Sequence, residues 1–128
     1  SADDDMLTSL TDPDKMGDWL TADDLDFYVN EFTQSGFAGP LNYYRNHNLT
    51  WELNANKPTQ IHQPALFVAG ERDGVIAMAG PALESMPNFV KELRTNVLIP
   101  EIGHWTQQEA PDAVNGYLLD WLAGLSQS

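Results

Sequence analysis

Two short apolar runs constrain this chain more than anything else in it. The first, Pro64-Ala65-Leu66-Phe67-Val68-Ala69, is continuously apolar, which suits a parallel strand covered on both faces. The second, Val97-Leu98-Ile99-Pro100, marks another strand over Asn96 to Ile99. Each run is followed by a polar loop and then by a helical pattern. Gly80-Pro81 opens one helix through Leu83 and Met86, cut short at Pro87 and followed by a further turn, Phe89 to Leu93. Pro111 opens the other, where Val114, Tyr117, Leu118, Trp121, Leu122 and Leu125 step by three and one residues in turn and make an apolar stripe. Strand, loop, helix, repeated, predicts an α/β fold with helices laid on a parallel sheet by right-handed crossovers. Two strands are too few to bury such faces, so the pattern predicts part of a larger fold.

In open α/β sheets the working side chains collect past the carboxyl ends of the strands. The first loop there is Gly70-Glu71-Arg72-Asp73-Gly74, and the second holds Gly103-His104-Trp105. An acid after one strand and a His after the next is the chain order of the back half of an α/β-hydrolase triad. A carboxylate at Asp73 would fix the tautomer of His104 and steady the imidazolium, leaving the other ring nitrogen to take a proton from water. Gly103 is expected to let the backbone turn sharply beside His104. The nucleophile of such a triad is expected upstream of residue 1.

The first sixty residues read differently. Residues 1–20 carry Asp3, Asp4, Asp5, Asp12, Asp14 and Asp18 and read as a solvated loop. Thr21 can cap a helix, with Asp23 and Asp24 complementing its dipole. Leu25, Tyr28, Val29 and Phe32 give that helix one buried face, and Gly36 can close it in a left-handed conformation. The favoured reading is a structural helix, with Phe27 or Tyr28 the candidate to line a pocket as the alternative. Gly39-Pro40 opens a shorter helix with adjacent tyrosines, Tyr43 and Tyr44, pointing about 100° apart; only one can face a given cleft. Composition alone favours buried structural tyrosines. His47 and His62 read as a helix-end and a loop histidine, Trp51 and Leu53 as anchors where the chain returns to the core, and Lys57-Pro58-Thr59 as a connecting loop.

Composition removes several classes of function. Six Lys and Arg against 19 Asp and Glu give a formal net charge of −13, which disfavours nucleic acid and anionic membrane as partners. No apolar run approaches a membrane span. Cysteine is absent, so there is neither a disulfide nor a thiolate metal site, which fits a cytoplasmic protein. The three His lack metal-ligand spacing and no glycine-rich phosphate loop is present, so no cofactor is expected.

One stretch carries a sharper message. Ser35-Gly36-Phe37-Ala38-Gly39-Pro40-Leu41-Asn42-Tyr43-Tyr44-Arg45-Asn46, with Trp51, Pro64 to Val68, Gly103-His104-Trp105 and Gln108-Glu109-Ala110-Pro111, closely resembles the C-terminal part of the soluble epoxide hydrolases of the α/β-hydrolase fold. The likeness runs from about Thr21 onward, and Gly-Pro-Leu-Asn-Tyr-Tyr-Arg-Asn is its specific part. The resemblance implies the second half of a helical lid at residues 1–60 and the last two parallel strands and helices of the core at 61–128. It further implies an Asp nucleophile that forms an alkyl-enzyme ester with an epoxide, two lid tyrosines that serve the oxirane oxygen, and a His–Asp pair that hydrolyses the ester to a vicinal diol. By this likeness Tyr44 is the second lid tyrosine, His104 the base and Asp73 its acidic partner. The nucleophile, the first lid tyrosine and the oxyanion-hole segment have no counterpart. The implied partners are an N-terminal segment of the same enzyme and a small-molecule epoxide, with a homodimer left open. A haloalkane dehalogenase or esterase of the same fold would keep His104 and Asp73 without needing Tyr44; a non-catalytic interaction module would need none of the three.

Overall fold

The computed structural model describes residues 11–126. Asp3, Asp4 and Asp5 of the acidic stretch lie outside them, while Asp12, Asp14 and Asp18 are exposed.

Three helices come first. Helix α1, Ala22–Ser35, starts where the sequence places it. The Thr21 hydroxyl accepts the Asp24 N–H at 3.2 Å and the Asp24 carboxylate accepts the Thr21 N–H at 3.0 Å, so two amides that a helix start leaves unpaired are satisfied reciprocally. The Thr21 hydroxyl and amide hold the Asp24 carboxyl below its ordinary range. Gly36 closes the helix with φ 66° and ψ −177°, a positive-φ conformation open essentially to glycine. The expected buried face of α1 is not buried among the described residues: Leu25, Tyr28 and Val29 are exposed, because no neighbouring element covers them.

Helix α2, Ala38–Arg45, contains Pro40 in its first turn, and α3, His47–Asn54, follows across Asn46. Helix α3 corrects the reading of this stretch as a return to the core. Leu49, Trp51 and Leu53 alternate in sequence and so imitate an extended segment. In the helix Trp51 is 75% exposed and Leu53 is likewise outside, so neither anchors anything among the described residues. Tyr43 and Tyr44 are also exposed rather than buried.

The α/β part begins at β1, Ile61–Gly70. It pairs in parallel with β2, Val90–Ile99, from Ile61 opposite Val90 to Gly70 opposite Ile99, with register irregularities between Ile61 and Pro64 and between Ala65 and Leu66. Pro64 cannot donate to the ladder. Strand β2 is longer than expected. The predicted turn at Phe89 to Leu93 is replaced by strand from Val90 on, because β1 offers backbone partners along its whole length. Glu92 and Arg94, two residues apart and therefore on one face of the strand, form an ion pair at 3.0 Å.

Between the strands lie α4, Gly74–Met78, and α5, Gly80–Phe89. Helix α4 starts at Gly74, the last residue of the loop expected after β1, and fills the stretch before α5. Helix α5 does not stop at Pro87: the proline sits in the last turn, where its missing N–H costs a single helical bond. After β2 come α6, Thr106–Glu109, and α7, Pro111–Leu125. Helix α7 packs on both strands through half-buried Val114, Trp121 and Leu125, while Tyr117, Leu118 and Leu122 of its stripe stay outside. Among the described residues only Ala69 and Ile99 are buried apolar side chains. The chain exposes 10536 Å², against about 6,800 Å² for a compact domain of its mass.

Candidate active site

The buried ends of the two strands, Gly70 and Ile99, are neighbours in the ladder, and the loops that leave them are stitched together. The Glu71 N–H donates to the Ile99 carbonyl at 3.0 Å and the Arg72 N–H to the Ile102 carbonyl at 2.8 Å. Gly70 permits the crossing: a Cβ there would fall inside the contact distance of the Ile102 and Gly103 carbonyl oxygens. This close approach brings residues far apart in sequence to one edge of the sheet.

Asp73 is the N-cap of α4, and its two oxygens do different things. Oδ1 accepts the Val75 N–H at 2.8 Å, and Oδ2 faces His104 Nδ1 at 3.0 Å. The first bond fixes the plane of the carboxylate; the second fixes the imidazole. Asp73 is 8% exposed. Desolvation pushes its carboxyl up, but the Val75 N–H and the His104 ring together outweigh it and hold Asp73 below the ordinary aspartate range. With Nδ1–H donating to Asp73, Nε2 carries the lone pair. Nε2 makes no hydrogen bond among the described residues, and the His104 side chain is 57% exposed. The Trp105 ring stands edge-on to the imidazole, with centroids 5.3 Å apart. The arrangement can draw a proton from water at Nε2 and share the resulting charge with Asp73.

The loop that carries His104 turns differently from expectation. Gly103 does not supply the positive φ; Glu101 does, at 66°. The Arg72 guanidinium pairs with the Glu101 carboxylate, and Glu71 Oε2 accepts the Glu101 N–H at 3.4 Å. Glu71, the other acid near the strand end, is therefore turned to the loop backbone rather than to His104. What sequence reasoning missed is Glu109. Its Oε2 accepts the Gly103 N–H at 2.7 Å and its Oε1 the Trp105 N–H at 3.0 Å. No side-chain pattern in the sequence signals it, since both its partners are backbone amides.

Tyr44 lies on α2, with its ring centroid 5.4 Å from that of Tyr43 and 5.7 Å from that of His47. No hydrogen bond among the described residues joins it to Asp73 or His104. A cleft of about 370 Å³ runs between the helical part and the His104 loop, lined by Trp19, Leu20, Leu25, Tyr28 and Phe32 on one side and Trp105 and Gln108 on the other. Of Phe27 and Tyr28, Tyr28 lines this cleft together with Leu25 and Phe32 of the same helix. Among the described residues no group of three or more His, Cys, Asp or Glu could hold a metal ion.

No family model matches the chain. Individual proteins do. Epoxide hydrolase B of Mycobacterium tuberculosis is 40% identical over 114 residues, which is 88% of this chain and 32% of that protein. The crystal structure of epoxide hydrolase A from Mycobacterium thermoresistibile superposes with a TM-score of 0.78 at 44% identity, covering 88% of this chain and 35% of that one. An epoxide hydrolase from an endophytic Streptomyces does so with a TM-score of 0.83 at 42% identity, covering 89% and 35%. Over most of its length the chain is thus related to epoxide hydrolases of the α/β-hydrolase fold. It spans about a third of the length of the relatives it matches, and its two parallel strands with their helices are a portion of the α/β-hydrolase fold of those epoxide hydrolases.

Proposed function

We propose that this chain supplies the hydrolytic half of an epoxide hydrolase active site, with His104 as general base, Asp73 as its orienting acid and Tyr44 as a phenol that serves the oxirane oxygen. Residues 1–60 act as part of a helical lid, and residues 61–128 as the last strands and helices of the core. The Asp nucleophile comes from a further segment of the same enzyme, which also covers the apolar faces left open here.

In the first step the nucleophilic carboxylate attacks an epoxide carbon. The C–O bond of the ring breaks and its electron pair goes to oxygen, where negative charge develops. A positioned phenol lowers the cost of that charge by donating a hydrogen bond or its proton. The product is an alkyl-enzyme ester. In the second step His104 Nε2 takes a proton from water, and the hydroxide attacks the ester carbonyl. Collapse of the tetrahedral intermediate releases the second oxygen of the diol, which takes its proton from the imidazolium, and the regenerated carboxylic acid gives up the other water proton, which replaces the one the phenol supplied to the first oxygen. Asp73 stabilises the imidazolium between those two transfers.

The observation that carries this reading is the Asp73–His104 bond at 3.0 Å with Nε2 left unbonded, in a chain similar over most of its length to epoxide hydrolases. An esterase or dehalogenase would use the same pair, so the substrate decides. The full-length enzyme is to be offered styrene oxide, a simple aryl ester and a haloalkane in parallel. Diol formation from the epoxide as the dominant turnover is the expected result. Preferred release of carboxylic acid or halide would replace this reading with the corresponding hydrolase, and turnover of none would favour a binding module.

A further inference from the structure

The loop that carries His104 is held by one side chain in a way the reaction scheme does not use. The Gly103 and Trp105 amides flank His104 and both point at the Glu109 carboxylate, one to each oxygen, at 2.7 Å and 3.0 Å. Bonds from N–H to an ionised carboxylate are about twice as strong as neutral ones. Without Glu109, two backbone donors beside the base would lose their partners. The rest of the loop ties into the same turn. The Gln108 and Glu109 amides donate to the Trp105 carbonyl, both at 2.8 Å, and the hydroxyl of buried Thr106 donates to the Gly103 carbonyl at 3.2 Å. The fit against Gly103 is close: a Cβ there would stand 3.0 Å and 3.2 Å from the two Glu109 oxygens, so the carboxylate would have to shift by a few tenths of an ångström.

We propose that Glu109 is a positioning residue for His104: by clamping the amides on either side of it, the carboxylate sets the direction in which the imidazole leaves the backbone, and so the Nδ1–Asp73 bond and the aim of Nε2. Glu109 touches no reacting atom. Its catalytic consequence rests on the assignment of ester hydrolysis to His104; its effect on the ring does not.

The test uses the full-length enzyme with Glu109→Gln, Glu109→Ala and, alongside, His104→Gln. Two quantities are read: the ratio of ester hydrolysis to ring opening in single turnovers of styrene oxide, and the ¹⁵N shifts of the His104 ring. Gln can accept one amide but presents an NH₂ to the other, so it should rescue in part. The expected result is a fall in hydrolysis of about 10-fold for Gln and about 100-fold for Ala, the scale of a misplacement of the order of 1 Å, with ring opening changed little. In the spectrum the tautomer protonated at Nδ1 should give way to a mixture. Hydrolysis and ring opening slowed equally, with an unchanged ring spectrum, would reduce Glu109 to a structural tether and overturn the inference. A normal hydrolysis rate in Glu109→Ala would also overturn it. If Glu109→Ala does not fold, the nearly isosteric Gln variant decides by the same two readouts. If His104→Gln accumulates no ester, the role given to the base fails, and the ring spectrum alone decides whether Glu109 positions it.

Discussion

Asp73 shows how much one residue can settle. Its Oδ1 is committed to the Val75 amide and its Oδ2 to His104, so the carboxylate cannot rotate away without uncapping α4. Glu71, two residues earlier, is turned to the Glu101 amide and is not a ready substitute. At the same scale, Tyr44 and Tyr43 stand side by side with rings at 87°, so the two phenols are aimed differently and substitutions at them should separate. Tyr44→Phe in the full-length enzyme should slow ring opening by about 10- to 100-fold, the low end of what a positioned acid contributes when a second phenol remains. Tyr43→Phe should change little. Pre-steady-state measurement of ester formation checks both, and the reverse ranking would show that Tyr43 is the phenol that serves the oxirane oxygen. Asp73 and His104 were legible in the sequence because strand-end position and chain order are local signals. Glu109 was not, because its partners are backbone amides, which no side-chain pattern advertises.

The element that builds the site is the pair of crossing loops after β1 and β2. Gly70 lies where they touch, and the room for it is set by backbone carbonyls, which cannot swing aside as a side chain would. Gly70→Ala should therefore push the loops apart, destabilising the enzyme by ~1–3 kcal/mol as overpacking does and slowing ester hydrolysis as His104 moves off Asp73. Thermal unfolding and single-turnover kinetics of the full-length variant check it; an unchanged melting temperature with normal hydrolysis would show that the loops have slack. The elements themselves were unevenly readable. Helices α1 and α7 were plain, one from its capping residues and the other from its apolar stripe. The first half of β2 was not, because Val90 to Thr95 is mostly polar and becomes strand only by pairing with β1. Helix α3 was hidden by the alternation of Leu49, Trp51 and Leu53, and α4 by the turn-like Asp73-Gly74.

The whole molecule is under-buried for its size. Two strands carry a few half-buried side chains, and the apolar residues of α1, α2 and α3 other than half-buried Phe32 are exposed. With so little apolar area removed from water, the hydrophobic term cannot offset the entropy of ordering the chain. These 128 residues by themselves should show no cooperative thermal transition at low concentration. A sharp, reversible transition from the isolated chain would mean that it carries its own core, and the proposed dependence on another segment would fall. This shortfall was foreseeable from two strands and several amphipathic helices; which faces stay open was not, since that depends on packing.

The central claim is that His104 serves the second chemical step and not the first. On the proposed reading, ring opening draws on the nucleophile and the phenols, while ester hydrolysis draws on the water that His104 activates. His104→Gln in the full-length enzyme separates them. After mixing with styrene oxide, intact-mass spectrometry should find the enzyme heavier by one substrate molecule, stable over many wild-type turnover times, with the label on the Asp nucleophile. Turnover at the normal rate, or a folded variant that binds substrate yet shows neither adduct nor diol, would contradict the account.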